Sequence, residues 1–329
     1  MNIIFRVNSS NKEGYGHFNR SLLLAQHFKK KNYNIYFISN NLNKYSIKLL
    51  NKNNFHYFFE KREYSKNYQI NDIKFTIKTL KKINKIIDFV IVDCYLLGLK
   101  WEKKIKKFTK KLVVIDDIDR KHYCDIYITP FNKPNKKNIL NQKCKILAGL
   151  KYIIIKKIKF KKNTNKTTKN ILIYMGDADK KNLTLKILKV IKKKFYNVFN
   201  FKILIGNSNL KRIEIFKNAK NIKNISFLNY QSSFSKIVNK IDTAIVSGGS
   251  TIFELTAGGV PALSICQNIK QYQLLKRNKI CNPNNILKYN NFSNKILENF
   301  LKKRLLKKKI KINKINFDFL GPKRILQNI

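Results

Sequence analysis

The chain has 329 residues, with 70 Lys plus Arg against 18 Asp plus Glu and a formal charge of +52. At 43% hydrophobic and 12% aromatic it can bury a sizeable core, which excludes a wholly disordered chain, and its length makes two domains the default. Cys94, Cys124, Cys144, Cys266 and Cys281 are odd in number and form no CxxC pair, so neither a disulfide framework nor a structural zinc site is expected.

Residues 2–7 (NIIFRV) read as a short buried strand, followed by a polar loop from Asn8 to Gly16. Residues 17–31 carry Phe18, Leu22, Ala25 and Phe28 at helical spacing, and 34–38 (NIYFI) read as the next strand. Such a strand–loop–helix–strand unit implies a parallel sheet with a right-handed crossover. Further strands are predicted at 88–92, 112–115 and 125–129, with a helix at about 100–110. Residues 156–170 are mostly basic or polar with little periodicity and read as a linker. A second series follows, with strands at 171–175, 201–205, 225–228, 243–246 and 262–266 and helices at 182–194 and about 250–258. The fold class expected is α/β, two doubly wound Rossmann-type domains facing a cleft, which resembles the GT-B arrangement of nucleotide-sugar enzymes. The N-terminal domain would be 1–155 and the C-terminal domain 156–316, with about 317–329 packing back on the first. The basic amphipathic stretch at 295–312 reads as a surface helix, with peripheral contact to an anionic membrane as the other reading.

Only 8 of the 70 basic residues are Arg, and 44 residues are Asn. Lys, Asn and Ile are the residues of A/T-rich codons, so most of the lysines read as drift at tolerant surface positions. The basic residues are spread along the chain, Arg is scarce, and no nucleic-acid-binding signature is present, so no specific nucleic-acid partner is expected. The opening MNIIFRVNSS lacks the apolar core of a signal peptide, and no apolar run approaches the roughly 18–20 residues of a membrane span. A soluble, cytoplasmic protein is expected.

Against that background the rare residues mark three constellations. The first is Gly14-Tyr15-Gly16-His17-Phe18-Asn19-Arg20, after the first strand and opening a helix. It reads either as a loop that brings backbone and His17 close to a diphosphate or as an ordinary turn. The second is Ser247-Gly248-Gly249-Ser250-Thr251-Ile252-Phe253-Glu254, after the strand at 243–246. It reads as a phosphate-holding helix start with Glu254 accepting from ribose hydroxyls. The competing reading is a capping box, which leaves the second pair, Gly258-Gly259, unexplained. The third is acidic: Asp93, Asp116, Asp117 and Asp119, with His122 and Asp125 following. Strand-end carboxylates orient a histidine, bind sugar hydroxyls or hold Mg²⁺, or they are turn-forming Asp residues.

Taken in order, these motifs resemble the hydrolase family of pseudaminic acid biosynthesis that cleaves UDP-2,4-diacetamido-2,4,6-trideoxy-β-L-altropyranose. The resemblance rests on Phe5 to Ser10 and Gly14 to Arg20, on Asp93 with Tyr95, and on Asp116-Asp117 with Arg120 to Asp125. It continues through Gly149 with Tyr152, Met175 to Asp179, Asn182 to Thr184, Gly248 to Thr251 with Glu254-Leu255, and Gln271. That family is similar in fold to the transferase that makes lipid II. Asn8, Cys94, Asp177, Lys156 and Lys270 depart from the family pattern.

The resemblance implies that the second domain holds UDP, with Glu254 on the ribose and Gly249, Ser250 and Thr251 near the diphosphate. The sugar would lie against the first domain, with His17 as the base that draws a proton from water attacking the anomeric carbon. Gly14, Tyr15, Gly16, Asp93, Tyr95, Asp117, Lys270 and Gln271 would complete the substrate-binding set. It implies no cofactor and no metal. The alternative is an inverting GT-B glycosyltransferase using the same UDP-sugar donor.

Overall fold

The computed structural model describes residues 1–10, 15–61, 65–118, 120–157, 170–195, 197–220, 222–228, 235–305 and 317–329. Gly14 and Asp119, most of the predicted linker (158–169) and the end of the basic stretch (306–312) lie outside the described residues. The chain divides into two compact units, Met1–Ile155 with Asp318–Ile329, and Lys156–Phe317.

In the first unit β1 (Asn2–Val7), α1 (Gly16–Lys29), β2 (Asn34–Ser39), α2 (Lys44–Lys52), β3 (His56–Phe59), α3 (Tyr68–Ile83), β4 (Phe89–Asp93), α4 (Leu99–Ile105), β5 (Lys111–Ile115), β6 (Ile126–Thr129) and β7 (Lys145–Ala148) follow in order. The parallel sheet runs β3-β2-β1-β4-β5-β6-β7. Both faces are covered, so its strands read as near-continuous apolar runs. The pleat sorts them. Ile3, Phe5 and Val7 of β1 and Phe89 and Ile91 of β4 face the core that contains Phe18, Leu22 and Ala25 of α1. Ile4, Val90 and Val92 face the core that contains Ile73 and Leu80 of α3 and Trp101 of α4. Arg6, on the second face of β1, is wholly buried and pairs with Asp72 of α3. Asp72 also accepts from Trp101 Nε1 at 2.7 Å and from Thr76 Oγ1 at 3.2 Å, so this buried charge pair is fully surrounded by donors.

The second unit holds β8 (Asn170–Tyr174), α5 (Leu183–Lys194), β9 (Asn200–Leu204), α6 (Arg212–Ala219), β10 (Ile225–Leu228), α7 (Ser235–Val238), β11 (Thr243–Val246), α8 (Ser250–Ala257), β12 (Ala262–Cys266), α9 (Ile269–Arg277), β13 (Ile286–Lys288) and α10 (Asn294–Leu305). Its parallel sheet runs β10-β9-β8-β11-β12-β13. The strand order reverses between β1 and β4 in one unit and between β8 and β11 in the other. Doubly wound sheets bind their ligands at such reversals, beyond the carboxyl ends of the strands.

Helix α10 turns Leu297, Phe300 and Leu301 into the core of the second unit. Within Asn294–Leu305 these three apolar side chains pack on the core, as the surface-helix reading requires, while Leu305 is exposed. No helix among the described residues is long and apolar enough to cross a membrane. Helix α11 (Gly321–Asn328) packs on α1 and on the 3-10 turn Leu150–Tyr152 of the first unit, with Ile325 in its core. A side chain at Gly321 would stand 2.1 Å from the Ile153 carbonyl oxygen, so only glycine permits this approach.

Candidate functional site

In the first unit the site grows from the reversal between β1 and β4. Asp93 ends β4 on the face shared with Ile91, which turns its carboxylate toward α1. His17, Arg20 and Ser21 stand at i, i+3 and i+4 of α1, one face of the helix, and all three reach that carboxylate. His17 Nδ1 lies 2.5 Å from Asp93 Oδ1. Arg20 donates from Nε to Asp93 Oδ2 at 2.5 Å and from Nη2 to Oδ1 at 2.6 Å. Burial pushes the Asp93 carboxyl upward, but Arg20 and His17 outweigh it and hold it at about 2. Asp93 is therefore an anion that only accepts, and His17 Nδ1 carries the proton that faces it. This leaves Nε2 as the ring nitrogen able to take a proton.

The remaining residues of this unit fall into place around that pair. Asp117 accepts from Arg20 Nη1 at 3.1 Å and from the Tyr95 hydroxyl. The Tyr95 ring stands edge-on to the imidazole, with centroids 4.4 Å apart. Tyr15 is buried, its ring edge-on to Tyr45 of α2. Gly16 is exposed, and a side chain there would meet open space. Asn8 is buried and engaged by Arg6, Asn40 and Tyr68, so this departure from the family pattern sits in a packed polar network.

The acidic cluster separates into three roles. Asp116 follows β5 on the face opposite to that of Ile115 and is fully buried. It lies 2.5 Å from Arg120 Nε and 3.0 Å from His122 Nε2, while His122 Nδ1 lies 2.7 Å from Glu102 of α4. Arg120 in turn donates to the carbonyls of Tyr95 at 2.8 Å and Cys94 at 3.1 Å, so this relay fixes the loop after Asp93. Asp125 precedes β6, at the amino ends of the strands, where it accepts from Leu112 N at 2.6 Å. It is on the edge of the sheet away from His17, because a residue before a parallel strand cannot share an edge with one that follows it. Among the described residues no group of three or more His, Cys, Asp or Glu is arranged to hold a metal ion.

Burial alone would lower His122, but Asp116 and Glu102 outweigh it and push it up to about 9 from the ordinary 6.5. The folded chain then holds this proton more tightly than the unfolded chain. Its stabilisation is complete below pH 6.5 and is lost as pH rises through 9. We expect the melting temperature to fall by about 5 °C across that window, with the slope flattened in His122→Gln. Thermal denaturation of both proteins from pH 6 to 9.5 is the check, and parallel curves would remove His122 from the account.

In the second unit the corresponding reversal presents Gly176 after β8 and Ser247-Gly248-Gly249 after β11. Gly176 has φ +84°, and Ser247 Oγ would stand 3.3 Å from a side chain there. At Gly248 a side chain would clash with Cys266 Sγ at 2.7 Å and Gln271 Cβ at 2.9 Å. Gln271 of α9 thus buttresses the glycine turn, and its Oε1 accepts from Gln267 N at 2.9 Å. Lys270 is exposed beside it. Gly249 is the N-cap of α8; no side chain caps the helix, and Ile252 N turns back to Gly249 O at 3.3 Å. The capping box does not form: Glu254 is the fifth residue of α8, two beyond the position such a box requires. Glu254 is half-buried, and burial raises its carboxyl to about 7, with Lys156 opposing.

The second glycine pair has a local cause. Gly258 N donates to Glu254 O at 3.0 Å and Val260 N to Leu255 O at 2.9 Å, with Gly259 at φ +67°. This is a helix stop, so Gly258-Gly259 adds nothing to the ligand reading. Asp177 accepts from Asn207 N at 3.0 Å and from Ser208 Oγ, tying the loop after β8 to the loop after β9. Sequence reasoning quoted Arg20 within the first constellation and Lys156 as a departure without giving either a role, and it left Glu102 out. For Arg20 the available signal was its i+3 spacing from His17.

Comparisons with known proteins agree with the fold. Residues 170–316 match the glycosyltransferase family 28 C-terminal domain. The chain is 30% identical over 290 residues to an uncharacterised protein of Methanocaldococcus jannaschii, a match covering 82% of this chain and 56% of that protein. The chain therefore spans little more than half the length of this relative. It is 25% identical over 260 residues to the UDP-2,4-diacetamido-2,4,6-trideoxy-beta-L-altropyranose hydrolase of Campylobacter jejuni, covering 77% of this chain and 87% of that one. The crystal structure of Acinetobacter baumannii MurG superposes with a TM-score of 0.67 at 11% identity, over 100% of this chain and 99% of that one. Two doubly wound Rossmann-type domains, the GT-B-like fold class expected from the sequence, are what this chain adopts.

Proposed function

We propose that the chain is a UDP-sugar hydrolase that releases UDP from UDP-2,4-diacetamido-2,4,6-trideoxy-β-L-altropyranose, in pseudaminic acid biosynthesis. The observation that carries the reading is the His17–Asp93 pair, a histidine whose Nδ1 is committed to an ionised carboxylate at the ligand-binding edge of a doubly wound sheet. The hydrolase name of the Campylobacter jejuni relative supports the same choice.

His17 Nε2 takes a proton from water as the water oxygen bonds to the anomeric carbon. The bond from that carbon to the diphosphate oxygen breaks, and its electron pair leaves with UDP. Asp93 stabilises the imidazolium as it forms. In the second unit the uncapped N-terminus of α8 receives the diphosphate at Gly249, Ser250 and Thr251, and its dipole favours the charge that develops on the leaving group. Glu254 accepts from the ribose hydroxyls. Lys270 and Gln271 stand beside the glycine turn.

The family 28 match over 170–316 favours a second reading, an inverting glycosyltransferase with the same donor site and a sugar or lipid acceptor. Incubation with the UDP-sugar alone separates the two. A hydrolase gives stoichiometric UDP and free sugar. Turnover that waits for an acceptor would sink the hydrolase reading.

A further inference from the structure

The polar groups around His17 close into a circuit. His17 Nδ1 meets Asp93 Oδ1 at 2.5 Å, and Arg20 grips both oxygens of Asp93. The third guanidinium nitrogen, Nη1, reaches Asp117 Oδ2 at 3.1 Å. Asp117 Oδ1 accepts the Tyr95 hydroxyl, and the Tyr95 ring returns to the imidazole at 4.4 Å and 85°. Every nitrogen of Arg20 faces a carboxylate of this circuit.

We propose that Arg20 and Asp117 are positioning residues for His17, acting through Asp93 on the Nδ1 edge of the imidazole and through the Tyr95 ring that packs against it. A carboxylate bonded only to Nδ1 keeps its torsional freedom, and the imidazole moves with it. A guanidinium bonded to both oxygens sets the carboxylate plane, because the planar fork fixes two directions at once. The same guanidinium lies 3.0 Å from His17 Nδ1, a contact between two cation-forming groups that the Asp93 anion between them makes tolerable. Asp117 anchors the far side of the fork and holds the Tyr95 hydroxyl, so the ring cannot swing away from His17. Asp93, Asp117 and Tyr95 are in this account committed to the histidine, where the family resemblance had them binding substrate.

The kinetic consequence rests on the proposed reaction with His17 as base, but the ring geometry does not, and the test separates them. The full chain labelled with ¹⁵N-histidine should show a protected, far-downfield Nδ1–H of His17, identified by its loss in His17→Asn. In Arg20→Lys and Asp117→Ala that proton should exchange faster and lose its downfield position. In turnover of a UDP-sugar both variants should lose kcat on the order of 10–100-fold with KM nearly unchanged, as expected when a reacting group is misplaced. Tyr95→Phe, which keeps the ring and loses the tie to Asp117, should show a smaller loss of the same kind, and it carries the test if either other variant fails to fold. An unchanged His17 signal in the variants would overturn the proposal, as would a raised KM at constant kcat, which would make Arg20 a substrate ligand. A wild-type chain inactive on every UDP-sugar would remove the functional reading while leaving the spectroscopic result to decide the circuit.

Discussion

His17→Asn should bind UDP as tightly as the wild-type chain and release it from a UDP-sugar about 10²–10⁴-fold more slowly, the range that a positioned general base supplies. The asparagine amide is close in size to the Nδ1 side of the ring and can still donate to Asp93, which keeps the carboxylate paired with Arg20 as before. It has no atom where Nε2 stood, so the attacking water keeps its proton until after the bond to carbon has formed. UDP affinity should not move, because the groups assigned to UDP all belong to the second unit. Steady-state UDP release measures the first quantity and isothermal calorimetry the second. Turnover near the wild-type rate would take His17 out of the mechanism. Parallel losses of UDP affinity and rate would mean that the substitution had disturbed the fold.

Much of the sheet framework was legible because parallel strands covered on both faces must be apolar in sequence, and β1, β4, β5, β8, β11 and β12 are. The region between β2 and β4 was not. Helix α3 buries Asp72, Thr76 and Thr79 along with Ile73 and Leu80, so its inner face looks polar, and its apolar period is hidden until Arg6 is known to need a partner. β3 is an edge strand of half-exposed residues and carries little signal. Within the site, the glycine turn after β11 and His17 stood out against the background of Lys, Asn and Ile. The aspartates between 88 and 125 did not sort themselves, because their roles depend on strand parity and on which end of the sheet they occupy. Asp93 ends its strand and Asp116 follows one, yet the pleat sends the first toward α1 and the second toward α4. Asp88 and Asp125, which precede strands, hold backbone N–H groups at the opposite edge.

Glu254→Ala should weaken UDP binding by about 1.5–3 kcal/mol, the worth of a charge-assisted hydrogen bond, or roughly 10–150-fold in Kd. Gly249 caps α8 without a side chain, so the carboxylate has no capping role, and none of the described residues holds it by a hydrogen bond. Yet it is half-buried, in a chain with only seven glutamates. Its carboxyl is raised to about 7 by that burial against the pull of Lys156, so near neutrality the free chain is a mixture of acid and anion. Ribose hydroxyls donate to the anion. Binding therefore draws Glu254 into its ionised form, and the affinity for UDP should fall as pH drops below 7, by up to about tenfold per pH unit once the acid predominates. The diphosphate titrates in the same region, with a second ionisation near pH 6 if it behaves as other phosphate monoesters do. That contribution is common to wild type and variant. Calorimetry of UDP binding from pH 5.5 to 8 on wild type and Glu254→Gln isolates the glutamate: the difference between the two curves should be largest at pH 8 and shrink toward pH 6. Equal affinities at pH 8 would count against a ribose contact at Glu254, whatever His17 proves to do.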